Sequence, residues 1–483
     1  MNRIVIQLGT TIAPDGSPFV SLSLEEPHVF GSPTIAFTCA VDDPAFQALS
    51  AAQLDVDSVK RAGEHLFDAL RKHPVIGEYL QTALQTRAGS RCPLLVEITA
   101  PACAEALPWE ALCSPTGDFF GLDERWSLAR TVEPQTPGAP FYRLSPPVRI
   151  AAVLSCLGIS AAGELKALRA AVRAAGPQHV ELLIVASEEE LVVDLQAEID
   201  SGSAPEVARV SLIATDLGAL QALIGEFRPH LLHFFCHGSQ QGTPHIALAL
   251  KEDWEKLGPA SSGLLAEARD FRGFTQPTDD LPWLLVLNCC EGAGVDAGAD
   301  SQSLALSLAL EGIAPAVVGM REAVVSDTAN LLTRNLYSKL LADLVARIAA
   351  VDGSPEPLDW PSLLVGVREA LIRTPGVLPS QAAAGTKEWT LPVVYVRPEE
   401  FSVQVVSQVA TETPTIRGIP TLGIPDEQPP TEAVLNGTSA RAARLEIEAL
   451  EELLVTLPPE QADGLKAEAS RRIAELNARL SAG

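Results

Sequence analysis

The chain has 483 residues, and its 61 Asp and Glu outweigh 35 Lys and Arg to leave a formal charge of −26. At roughly 150 residues per domain this length suggests two to three units. An apolar content of 47% with 20% charged residues supplies a core and excludes a wholly disordered chain, while so large a negative excess repels phosphate and argues against nucleic-acid binding and docking on anionic membranes.

Eight cysteines, at 39, 92, 103, 113, 156, 236, 289 and 290, are too sparse for a disulfide scaffold. They include no CxxC pair, so no zinc ribbon or thioredoxin-type site is expected, and the sequence calls for no metal or cofactor. No run approaches 18 apolar residues and Met1–Gln7 has no apolar leader, so the expected compartment is a reducing cytoplasm.

In chain order, short strand-like runs at Arg3–Gln7, Phe19–Leu24 and Thr34–Cys39 are separated by turn residues. Residues 55–88 read as helical, with Val59, Ala62, Leu66, Leu70, Ile76 and Leu80 on one face. Leu94–Thr99 is a buried strand, and the four prolines of Gln135–Pro147 suggest a linker. From 148 the pattern becomes alternating strand and helix. Strands are expected at Arg149–Ser155, Val180–Ala186, Leu231–Cys236, Trp283–Cys289, Pro315–Met320 and Thr390–Val396. Helices are expected at 162–175, 188–199, 301–311, 327–349 and 361–373. This pattern predicts an α/β fold with a mostly parallel sheet flanked by helices. Residues 409–437 carry five prolines among Thr and Gly and read as a linker. Two amphipathic stretches, 438–457 and 459–481, broken at Pro458-Pro459, read as a C-terminal helical hairpin that either packs on the body or docks a partner.

Two apolar strands end abruptly in a reactive side chain followed by glycine. The first is Leu231–Cys236, then His237-Gly238; the second is Leu284–Cys289, then Cys290-Glu291-Gly292. Sites in open α/β sheets form at the carboxyl ends of strands. The 53-residue separation of His237 and Cys290 suffices for one parallel crossover. An imidazole beside a thiol can generate the thiolate for acyl transfer and then protonate the leaving amine. The main-chain N–H groups of Gly238 and Cys290 are candidates for holding the oxyanion. Side-chain alternation assigns Cys289 to packing with Leu285 and Leu287, which favours Cys290 as nucleophile without settling the choice. His233, inside the strand, reads as a buried structural histidine. Taken alone, a His and a Cys at two strand ends are more often structural than catalytic.

Several further residues fit the same pattern. The sequence Pro229–Gly238, with Leu287–Gly292, Ser303-Leu304-Ala305, Gly312–Met320, Asp327, Tyr337, Trp389–Tyr395 and Pro108-Trp109-Glu110, resembles CHAT-domain peptidases, relatives of caspases and separase. The resemblance spans roughly residues 1–400 and rests on the order and spacing of these segments. It implies a caspase-like catalytic half over 148–400, preceded at 1–140 by a related, catalytically silent half. It also implies that His237 is the catalytic histidine and Cys290 the nucleophile of a cysteine endopeptidase acting on protein substrates. A regulated role in bacterial antiviral defence or programmed cell death follows from the same likeness. So does activation by a protein partner or by homo-oligomerisation; residues 438–483, outside the likeness, are the candidate coupling element. The alternative is a catalytically silent scaffold of the same fold that binds protein partners. Cys289 departs from the family's more usual Ala.

Asp300, Asp327 and Glu322 are candidates for binding a basic side chain before the cleaved bond, although Asp300 also suits the N-cap of the following helix. Gly292, Gly294 and Gly298 follow a strand but are spaced GxGxxxG, which is a weak match to a dinucleotide loop and is read as a loop beside the nucleophile. Trp109 is expected in the core, with Glu110 in a local hydrogen bond or ion pair.

Overall fold

The structure is a computed structural model that describes residues 3–13, 17–51, 54–99, 102–155, 157–239, 243–257, 263–276, 280–289, 292–294, 302–350, 353–372 and 379–406. Met1–Ala410 forms one compact unit and Thr411–Gly483 a second. The 409–437 linker and the 438–483 hairpin anticipated from the sequence lie outside the described residues.

The amino-terminal part begins with β1 (Ile4–Ile12), β2 (Pro18–Glu26) and β3 (Ile35–Ala36), followed by α1 (Pro44–Gln47), α2 (Ser58–Arg71), α3 (Pro74–Leu84), β4 (Leu94–Ile98), α4 (Ala102–Glu105) and β5 (Ala129–Thr131). The helical stretch anticipated over 55–88 is two helices. Pro74 has no N–H to continue the first, and the His73 ring Nδ1 accepts the Ile76 amide at 3.2 Å to start the second. The face of α2 carrying Val59, Ala62, Leu66, Phe67 and Leu70 is buried. Each such large side chain contributes roughly 1.5–3 kcal/mol. At Gly63 the helix passes so close to the Ala111 carbonyl that a Cβ would overlap it. The run anticipated over Thr34–Cys39 forms only the two-residue β3.

The second part contains β6 (Tyr142–Leu144), β7 (Val148–Ser155), α5 (Ala162–Ala175), β8 (Val180–Ala186), α6 (Glu189–Asp200), β9 (Val207–Leu212), α7 (Leu217–Phe227), β10 (Leu231–Ser239), β11 (His245–Leu248), α8 (Lys251–Leu257), β12 (Leu264–Glu267) and β13 (Leu284–Cys289). It continues with α9 (Leu304–Leu310), β14 (Ala316–Met320), α10 (Ser326–Ala350), β15 (Glu356–Pro357), α11 (Trp360–Leu371), α12 (Pro379–Gly385), β16 (Pro392–Val396) and β17 (Ser402–Val405). The proline-rich stretch read as a linker is partly ordered: Tyr142 and Leu144 of β6 are buried and pair in parallel with β17.

One sheet runs through both parts in the order β3-β2-β1-β4-β5-β16-β14-β13-β10-β7-β8-β9. The parts join at the parallel pair β5–β16, where Arg130 faces Tyr395. The sheet is mostly parallel, as the alternation predicts; β16 runs antiparallel to β14, and β2 to β1. Helices cover both faces. Leu231, Phe235, Leu284 and Val286 pack with α5 and α10 on one face, and Leu232, Phe234, Leu285 and Leu287 with α7 and α9 on the other.

Candidate active site

Parallel pairing of β10 with both β7 and β13 brings their carboxyl ends to one edge. The register runs from Leu231 beside Leu284 to Cys236 beside Cys289, with Ser155 opposite Cys236 on the other flank. Side chains alternate along each strand. Cys236 and Cys289 therefore share one face, and both are buried with the α7/α9 layer. His233 and Asn288 lie on the opposite face, each against Glu164 of α5. His237, four residues after His233, has the same parity as His233. Cys290 follows Cys289 in the chain and lies outside the described residues, as do Glu291 and Asp300.

His237 is half-buried and held on two sides. Its Nε2 lies 2.6 Å from the carbonyl oxygen of Leu157, in the loop leaving β7. A carbonyl can only accept, so Nε2 carries the proton, and in the neutral ring Nδ1 carries the lone pair. The imidazole also stacks on Trp254 of α8, with ring centroids 5.7 Å apart and planes 15° from parallel. Beyond the main sheet, His237 and Gly238 pair with Ala247 and Ile246 of β11. The Ser155 hydroxyl donates to the Ala249 carbonyl at 3.1 Å and accepts the Ala249 amide at 3.0 Å, which ties the β11–α8 turn to β7.

Beneath this edge sits a buried polar cluster. Glu164 Oε1 accepts Asn288 Nδ2 at 2.8 Å and the Thr333 hydroxyl, and Asn288 Nδ2 also reaches the Ala329 carbonyl at 3.1 Å. His233 Nε2 lies 2.9 Å from the same carboxylate oxygen, at an angle poor for a hydrogen bond. Tyr337 packs edge-on to His233, and burial together with Glu164 raises its phenol well above the ordinary range. The cluster clamps β10 and β13 to α5 and α10 close to their carboxyl ends. His230 is structural: its Nδ1 accepts the Arg149 amide, and burial followed by Arg149 and Arg228 lowers its pKa to about 3.

A second buried network joins the two parts of the chain. Glu105 accepts the Ser303 amide at 3.2 Å, the Ser303 hydroxyl, and the Tyr395 hydroxyl at 2.7 Å. Ser303 is itself the N-cap of α9, accepting the Leu306 amide at 3.1 Å. The cap anticipated at Asp300 is therefore three residues too early. Ser303 has the hydroxyl that both receives the Leu306 N–H and reaches Glu105. Arg130 donates to both carboxylate oxygens of Glu110, at 3.0 and 2.9 Å, and both side chains are fully buried. Trp109 is fully buried beside them, so the expectations for Trp109 and Glu110 hold.

Two anticipated pocket acids are described. The Glu322 carboxylate is held by Lys387 at 2.6 Å. Asp327 is exposed in the first turn of α10, just past the carboxyl end of β14. Sequence reasoning missed Glu105, Glu164, Leu157 and Trp254. Only Glu164, an acid on the apolar face of a predicted helix, left a signal that periodicity could have flagged.

A model of the CHAT domain matches residues 60–351. No curated protein matches the chain. Among solved structures, the chain is similar to one in the Saccharomyces cerevisiae separase–securin complex, at 14% identity and a TM-score of 0.34, over 70% of this chain and 18% of that one. It is also similar to the Arg-specific cysteine proteinase gingipain R, at 9% identity and a TM-score of 0.38, over 69% of this chain and 68% of the other. It thus spans less than a fifth of the chain matched in the separase–securin complex.

Proposed function

The chain belongs to the CHAT-domain family, and from that premise we propose that it is a cysteine endopeptidase using His237 and Cys290. The observation that carries this reading is the register of β10 and β13. Cys236 pairs with Cys289, and His237 and Cys290 are the next residue in each strand's sequence. A second support is the Leu157 carbonyl, which fixes the proton on His237 Nε2 and leaves Nδ1 as the base.

In this reading His237 Nδ1 takes the Cys290 thiol proton, and the sulfur attacks the scissile carbonyl to form a C–S bond. The amides of Gly238 and Cys290 hold the oxyanion. The imidazolium then donates its proton to the departing amine as the C–N bond breaks, and water, deprotonated by the same histidine, hydrolyses the thioester. Residues 1–140 are a silent half, since β4 and β5 are followed by Thr99 and Val132 rather than by His or Cys. Among the acids, exposed Asp327, with Asp300, is the better candidate for a basic residue before the cut, because Glu322 already carries Lys387. A reducing cytoplasm suits a working thiol. Residues 438–483 couple activity to a protein partner or a second copy, in keeping with a regulated defence or cell-death role. No helix among the described residues is long and apolar enough to cross a membrane.

The test is cleavage of a peptide library and of co-expressed candidate proteins by wild type, Cys290→Ala and His237→Ala. Cleavage by wild type alone is expected; equal cleavage by all three would overturn the assignment. Deleting 438–483 is expected to alter self-association or partner binding while leaving the body folded.

A further inference from the structure

Far along the sheet from β10 and β13, three side chains of different chemistry converge at the surface of the amino-terminal part. Cys39 and Asp43 lie in the loop between β3 and α1, and His65 lies on α2. One ligand atom of each sits within 4.8 Å of the other two. His65 Nε2 is 2.9 Å from Asp43 Oδ2, and the Cys39 thiol is directed toward the His65 carbonyl oxygen at 3.9 Å. We propose that Cys39, Asp43 and His65 form a zinc site with its fourth position open to water.

The donor set selects the metal. A tetrahedral zinc ion bonded at its usual lengths holds neighbouring ligand atoms about 3.5 Å apart, so small movements complete the site. Thiolate and imidazole suit zinc, whereas calcium and magnesium need oxygen. The two anionic ligands balance the ion's charge. The carboxylate is already oriented, because Asp43 Oδ2 accepts the Ala40 amide at 3.1 Å, the kind of outer contact that fixes a metal ligand. Lys72 donates to the Thr38 hydroxyl at 2.9 Å beside the site. Cys39 lines a surface cleft of about 450 Å³ with Phe37, Asp42 and Cys103, and His65 is exposed.

Two of the three ligands precede the CHAT match, so the site is a feature of this chain rather than of that domain. Bound zinc would fasten the β3–α1 loop to α2.

The experiment uses the full-length, reduced protein stripped of metal with a chelator. Zinc is titrated in competition with a chromophoric chelator, and cobalt(II) is added separately as a spectroscopic probe. One ion per chain is expected, with the thiolate-to-cobalt charge-transfer band and the d–d bands of a tetrahedral site. Cys39→Ser should abolish the charge-transfer band. Asp43→Ala and His65→Ala should each weaken zinc binding by about 10- to 100-fold or more. Circular dichroism of the three variants checks that they remain folded. Cys290→Ser and Cys103→Ser should retain the band. Absence of the band in wild type, its persistence in Cys39→Ser, or its loss in Cys290→Ser would each overturn the proposal, the last by moving the metal to the His237 edge. Failure of the peptidase reading would leave this result untouched, because no readout uses cleavage.

Discussion

Glu105, at the end of α4, accepts hydrogen bonds from the amide and hydroxyl of Ser303, 198 residues further along the chain. Ser303 caps α9, so a carboxylate from the amino-terminal part anchors the start of that helix. Glu105→Ala would leave the Ser303 amide and the Tyr395 hydroxyl buried without an acceptor. The expected loss is at least about 2 kcal/mol, with a larger fall in cleavage than in stability, read from urea midpoints and kcat/KM. Burial lifts Glu105 above the usual carboxyl range, against the bonds from Ser303 and Tyr395. The folded state therefore holds that proton more tightly than the unfolded chain. Its contribution to stability is greatest below the unfolded value of about 4.3 and falls as pH rises through the folded one. Glu105→Gln should flatten that part of the stability profile.

Glu110 should behave in the opposite sense. Burial alone would raise it, but Arg130, then Arg321 and Arg368, outweigh that and hold it below the ordinary range. Its contribution is present above the unfolded pKa and is lost as pH falls through the lower folded value. Glu110→Gln leaves Arg130 buried without its counter-ion, and the expected cost near neutrality is about 3–5 kcal/mol. The difference between wild type and variant should shrink in acid, and denaturant unfolding across a pH series measures it. A constant difference would mean that the pair contributes through packing alone.

The sheet's central strands were legible because burial on both faces produces uninterrupted apolar runs. α5 and β8 match their expected bounds of 162–175 and 180–186. β9 was not legible, because it is an edge strand with Ala208 and Arg209 exposed, which dilutes the pattern. The antiparallel direction of β16 depends on where the chain re-enters the sheet, which local periodicity does not encode. At the candidate site, the strand-end glycines marked His237 and Cys290. The residues that hold His237, Leu157 and Trp254, are brought in by tertiary packing alone: one offers a backbone carbonyl, which every residue has, and the other lies on a short polar helix.

In the proposed mechanism, that packing makes Trp254 a positioning residue. Its ring lies parallel to the His237 imidazole, while the Leu157 carbonyl holds one edge of that imidazole. Trp254→Ala removes the stacking surface and lets the ring swing about the Nε2 bond. Misplacement of a base by about 1 Å lowers rate by up to about 100-fold, so kcat should fall roughly 10- to 100-fold with KM little changed. Trp254→Phe keeps a flat surface and should recover most of the loss. A fall confined to KM, or an equal effect of both variants, would make Trp254 a substrate contact instead.

Of the two adjacent thiols, Cys289 is placed by the face it takes. Cys289 is buried with Leu285 and Leu287 against the α7/α9 layer, on the side of the sheet away from His233 and Glu164. It cannot meet His237 without reversing the alternation of β13, which would also expel Asn288 from its bond to Glu164. Cys289→Ala, the smaller residue, should lower stability by about 1 kcal/mol through lost packing and leave kcat/KM unchanged. Cys290→Ala should reduce kcat/KM by at least about a thousandfold with little change in the melting temperature. Peptide mapping after alkylation with a thiol-directed, peptide-like inhibitor should find the label on Cys290, still present in Cys289→Ala and absent in Cys290→Ala. Label on Cys289 in the wild type would require the opposite register for the end of β13 and would reassign the nucleophile.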